Sequence, residues 1–132
     1  MTGTHAPVVL VVDDYEDNRV MYATYFGMKG CVVAMAADGS EALRAVGALH
    51  PDVILLDMGL PGLTGWEVAR TLRARPEMQT CVIVAVTAHA FERERQSAME
   101  AGVDLYIAKP VTPPVLFEQV RAHLRERGLP FC

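Results

Sequence analysis

Hydrophobic residues along this chain gather in short runs, and each run ends in a polar residue of a particular kind. Val8-Val9-Leu10-Val11-Val12 ends in Asp13-Asp14, Val53-Ile54-Leu55-Leu56 in Asp57, Val82-Ile83-Val84-Ala85-Val86 in Thr87, and Leu105-Tyr106-Ile107-Ala108 in Lys109-Pro110. Short runs rich in β-branched and aliphatic residues read as strands of a parallel sheet buried on both faces. Residues 31–37 read as a further strand. Between the runs the period becomes helical. Met21, Tyr22, Tyr25 and Phe26 share one helix face, and Gly30 supplies a stop. Ala42, Leu43, Val46 and Leu49 make a second stripe, closed by Pro51. Val68, Ala69 and Leu72 make a third, with Thr64 as N-cap and Glu67 at capping-box spacing. A more polar helix over Glu92–Ala101 ends at Gly102, and the last carries Leu116, Phe117, Val120 and Leu124, starting near Thr112 with Pro113 in its first turn. The chain thus repeats strand then helix five times. That pattern predicts an α/β fold in one domain over residues 1–132, with its core at about 8–126 and short ends.

In an open α/β sheet the carboxyl ends of the strands form the ligand crevice. Three carboxylates, a hydroxyl and an ammonium from distant parts of the chain should therefore meet there, a set suited to a divalent metal and a phosphoryl group. Each residue has a plainer reading. Asp13 or Asp14 could cap the following helix. Lys109 could be a surface lysine, Thr87 a strand-end β-branched residue and Tyr106 a half-buried strand aromatic. His5, His50, His89 and His123 have no metal-ligand spacing, and Trp66 reads as structural.

Composition narrows the setting. A chain of 132 residues hides roughly two thirds of its unfolded surface on folding, so it needs no disulfide or structural metal. With 21% charged residues and a net charge of −4, it lacks the basic surface of a nucleic-acid binder, and no direct nucleic-acid contact is expected. Its apolar stretches fall short of the ~18 residues of a membrane span, and no signal-like segment precedes them. A cytoplasmic protein without membrane contact is expected. Cys31, Cys81 and Cys132 lack ligand spacing and read as reduced thiols.

Taken in order, Val11-Val12-Asp13-Asp14, Asp57 followed by Leu60-Pro61 and Gly65, Thr87-Ala88, Ala101-Gly102, and Asp104-Leu105-Tyr106-Ile107-Ala108-Lys109-Pro110 resemble the receiver domain of two-component response regulators, the CheY-like family. The likeness runs over residues 8–124, with Leu60 where the family commonly has methionine. It implies a flavodoxin-like, doubly wound (βα)5 three-layer sandwich with strand order 2-1-3-4-5. It also implies a signalling switch in which Asp57 accepts a phosphoryl group from a histidine kinase or histidine phosphotransfer protein. Mg2+, with Mn2+ able to substitute, would be held by Asp14, Asp57 and the Gly59 backbone carbonyl, and by Asp13 through a water. Lys109 and Thr87 would engage the phosphoryl group. The resemblance further assigns Thr87 and Tyr106 to the switch, Gly59 and His89 to the phosphoryl lifetime, and a cis peptide to Lys109-Pro110. The signal would leave toward a downstream protein at the face formed by the last two helices and last strand of a monomer or weak homodimer.

The implied protein is no enzyme beyond catalysing its own phosphorylation and dephosphorylation. Other readings remain open at this point. One is a receiver module excised from a larger hybrid kinase or multidomain regulator. A Mg2+-dependent aspartyl phosphohydrolase would need a second acid just after Asp57, where Met58 and Gly59 offer none. A phosphorylation-independent interaction module would have no use for clustered like charges.

Overall fold

The computed structural model describes residues 6–88, 91–129 and 131. Five parallel strands, β1 (Val8–Val12), β2 (Val32–Ala36), β3 (Val53–Leu56), β4 (Val82–Thr87) and β5 (Leu105–Ala108), alternate with five helices, α1 (Glu16–Met28), α2 (Gly39–Leu49), α3 (Gly65–Arg73), α4 (Glu92–Ala101) and α5 (Pro113–Glu126). The sheet order is β2-β1-β3-β4-β5, the flavodoxin-like arrangement that the resemblance implied.

Alternation along the central strands divides the interior in two. Leu10, Val12, Ile54, Leu56, Ile83 and Ala85 point to one face, where α2, α3 and α4 cover them. Val9, Val11, Val53, Leu55, Val82 and Val84 point to the other, beneath α1 and α5. There Phe26 and Phe117 meet edge to face, with ring centres 5.1 Å apart. Burying each such ring contributes roughly 1.5–3 kcal/mol.

The edges differ from the pattern expected of strands buried on both faces. β5 is only partly covered, and in β2 Val32 is 54% and Met35 50% exposed. Each has a single neighbouring strand. Met21 also departs from its predicted helix face: it is 40% exposed, because the buried stripe of α1 centres on Tyr22 and Phe26. Leu49, in the last turn of α2, is likewise exposed.

Local chemistry sets the helix ends. The Thr64 hydroxyl accepts from the Glu67 N–H at 3.2 Å while Glu67 Oε1 accepts from the Thr64 N–H at 2.9 Å, a complete capping box. Asp38 caps α2 by accepting from the Glu41 N–H at 2.8 Å. A Cβ on Gly65 would lie 2.5 Å from the Met58 Cα, so only glycine lets α3 start this close to the end of β3. At the other end of the sheet Arg73 ties five segments together. Its guanidinium donates to the carbonyls of Gly102, Met78 and Cys81, each at 2.8 Å, and pairs with the Asp104 carboxylate. Asp104 in turn accepts from the Ile83 N–H at 2.8 Å and lies 3.5 Å from Arg127. Met78 belongs to a short 3-10 turn, Pro76–Met78, which the sequence pattern did not predict.

Candidate functional site

The backbone ladder runs one residue past β1, β3 and β5, and that extension fixes the polar residues in register. Asp13 N–H donates to the Ala36 carbonyl at 3.2 Å, Asp57 N–H to the Val12 carbonyl at 3.0 Å, and Lys109 N–H to the Thr87 carbonyl at 2.9 Å. Side chains that start from neighbouring rungs then meet above the sheet. Carboxylate oxygens of Asp13, Asp14 and Asp57 all lie within 4.8 Å of one another. Lys109 Nζ sits between two of these acids, 2.9 Å from Asp13 Oδ2 and 3.4 Å from Asp57 Oδ2.

The remaining oxygens of the two inner acids are held by backbone. Asp13 Oδ1 accepts from the Tyr15 N–H and Asp57 Oδ1 from the Gly59 N–H, both at 2.9 Å. Arg19 Nη1 donates to the Asp13 carbonyl at 2.8 Å and pins the start of the loop. The capping alternative for Asp13 and Asp14 therefore fails: α1 has Tyr15 at its N-cap and no side-chain cap bond. Asp13 is only 3% exposed, whereas Asp14 is open to solvent. Burial pushes the Lys109 pKa down, but the hydrogen bond to Asp13 and the charges of Asp57 and Asp13 outweigh it, so the ammonium is held above the ordinary lysine value. Three carboxylates against one ammonium leave an excess of negative charge on an all-oxygen donor set. Such a set suits a small, hard divalent cation.

Thr87 is fully buried at the end of β4. Tyr106 lies opposite Ala85 in the neighbouring strand, and its ring packs against the core on the α4 side. Its hydroxyl is shielded from solvent without a hydrogen-bond partner among the described residues. Burial, with a smaller contribution from the Glu94 charge, raises its pKa. The Lys109–Pro110 peptide is cis. His89 lies outside the described residues. Sequence reasoning did not single out Arg19, or Tyr22 as more than a packing residue.

A family model for the response regulator receiver domain matches residues 9–121, with the acids, the hydroxyl and the lysine all inside that span. The chain belongs to this family. The receiver domain is 39% identical over 128 residues to the transcriptional regulatory protein PrrA of Mycobacterium tuberculosis, matching 96% of this chain and 54% of that protein. It is 40% identical over 117 residues to the DNA-binding response regulator MtrA of Mycolicibacterium smegmatis, matching 89% of this chain and 50% of that one. The chain thus spans about half the length of the curated relatives it matches. Among solved structures, chemotaxis response regulator CheY4 of Vibrio cholerae superposes with a TM-score of 0.86 at 28% identity, covering 91% of this chain and all of that one. A CheY-like receiver domain protein from Methanospirillum hungatei gives 0.84, also at 28% identity, covering 94% and 98% of the two chains. No helix among the described residues is long and apolar enough to cross a membrane.

Proposed function

We propose that this receiver domain accepts a phosphoryl group on Asp57 from the phosphohistidine of a partner kinase or phosphotransfer protein, and that the acyl phosphate controls its contacts with a downstream protein. The observation that carries the reading is the clustering of three carboxylates from two strand ends, two of them paired with one ammonium from a third. In the transfer, a P–O bond to Asp57 forms as the P–N bond of the donor breaks, and there is little covalent chemistry for the protein beyond positioning and charge. The Gly59 N–H fixes one Asp57 oxygen and leaves the other toward Lys109. Lys109 then faces the phosphoryl oxygens as a point charge, and the Thr87 hydroxyl donates to one of them. Asp14, Asp57 and the Gly59 carbonyl, with Asp13 through a water, would hold Mg2+ or Mn2+, which when bound neutralises the phosphoryl oxygens.

The domain turns over no separate substrate in this reading; it catalyses only its own phosphorylation and dephosphorylation, in a cytoplasmic setting. The DNA binding named for the MtrA relatives belongs to those whole proteins, and the signal from this domain leaves through protein contacts. The test is intact mass after incubation with Mg2+ and acetyl phosphate. A single phosphoryl gain is expected in wild type, and none in Asp57→Asn or after chelation. A gain that persists in Asp57→Asn places the acceptor elsewhere.

A further inference from the structure

Tyr22 stands in the middle of α1 and is only 4% exposed. Its hydroxyl does not end in packing. It donates to the Val111 carbonyl at 3.2 Å, across 89 positions of sequence. Val111 directly follows the Lys109–Pro110 turn, so this bond ties the first helix to the segment that carries the ammonium. The ring also borders two spaces. On one side lies a small, partly open space shared with Asp13, Asp57 and Val86. On the other lies an open groove of about 400 Å3 shared with Asn18, Lys109, Pro110 and Val111. Tyr22 is thus a wall between the underside of the acids and the turn that delivers Lys109.

We propose that Tyr22 is a positioning residue for phosphoryl transfer: its hydroxyl holds the turn after β5, and through it the Lys109 ammonium between Asp13 and Asp57. A buried phenol must find an acceptor or lose the free energy of its hydration, so the bond to Val111 is strongly preferred once the ring is in place. Burial foremost, opposed by the Lys109 charge and aided by smaller contributions from Asp13 and Asp57, keeps the phenol pKa above its ordinary value. The group therefore stays a donor at neutral pH. The inference rests on Asp57 being the acceptor.

The experiment is a double-mutant cycle on the phosphorylation rate with Mg2+ and acetyl phosphate, read by intact mass. The proteins are wild type, Tyr22→Phe, Lys109→Ala and the double variant. Tyr22→Phe keeps the ring and removes only the hydroxyl. It should slow wild type about five-fold, the size expected of one neutral hydrogen bond, and change the rate less than about two-fold once Lys109 is gone. A merely structural role would slow both backgrounds alike. Equal slowing in the two backgrounds, or an unchanged rate in Tyr22→Phe, overturns the positioning role while leaving Asp57 as acceptor. Absence of any phosphoryl gain in wild type overturns the acceptor reading itself, and this inference with it.

Discussion

Cys81 shows at the scale of one residue how position decides chemistry. The thiol lies just before β4, 4% exposed, and burial pushes its pKa up to about 12, with the nearby Arg73 charge working the other way. It is consequently an inert packing group and a poor nucleophile. The shift is also a statement about stability. In the unfolded chain the thiol releases its proton near its ordinary value of about 9, while the folded protein still binds it. The folded state then holds more protons, so stability is fully present below pH 9 and is lost as pH rises toward 12. One proton sets a maximum slope of about 1.4 kcal/mol per pH unit. Lys109 and the buried tyrosines titrate with the same sign, but only above about pH 10. Urea unfolding at pH 8, 9 and 10 should therefore show wild type losing stability relative to its own pH 8 value earlier than Cys81→Ala. Parallel curves for the two proteins up to pH 10 would contradict the assignment.

Elements were legible in the sequence to the extent that each is covered by others. β1, β3 and β4 are buried on both faces, so their residues form continuous apolar runs that can be read without a structure. The capping box of α3 was legible because both partners lie within four residues. The polar ends of the strands were legible too, since a strand end is fixed by its own run. The rest was hidden for reasons of distance and sharing. Partial exposure of β2 and β5 depends on strand order, which no local pattern encodes. The bond from Tyr22 to Val111 joins an aromatic read as packing to a carbonyl that any residue would carry. Arg73 was invisible for the same reason, as three of its four acceptors are backbone carbonyls. Its fork nevertheless joins α3, the 3-10 turn, the start of β4, the end of α4 and Asp104 before β5. Arg73→Met should lower unfolding free energy by about 2–3 kcal/mol, because partly buried carbonyls and a carboxylate lose their donor. Arg73→Lys should recover little of it, since an ammonium cannot reproduce the fork. A urea midpoint within error of wild type for either variant would show the network to be dispensable.

For the whole molecule, the two ends of the sheet do different work. Arg73 locks the amino ends of β4 and β5, while the carboxyl ends gather Asp13, Asp14, Asp57, Thr87 and Lys109. In the proposed function, signal would therefore travel from the carboxyl ends to a surface. Thr87 and Tyr106 are the residues proposed to carry it: Tyr106 pairs with Ala85, and Thr87 follows on the same pleat, so both side chains face the α4 side. A phosphoryl group on Asp57 would add charge and acceptors that draw the Thr87 hydroxyl toward it. Displacement of that side chain would alter the room available to the Tyr106 ring, whose hydroxyl has no hydrogen-bond partner among the described residues. In the proposed reading the surface between α4 and α5 would then change shape, and a partner that reads it would gain affinity. Linkage makes the effect reciprocal, because a partner shifts a two-state equilibrium only by its differential affinity and must favour phosphorylation by the same factor. The coupling expected is on the order of 5–150-fold. It is checked by measuring partner affinity with and without a phosphoryl mimic in wild type, Thr87→Ala and Tyr106→Ala. Both variants should bind the partner in the unmodified state about as wild type does and lose most of the gain. If both keep the full phosphorylation-dependent gain, the signal leaves Asp57 by another face.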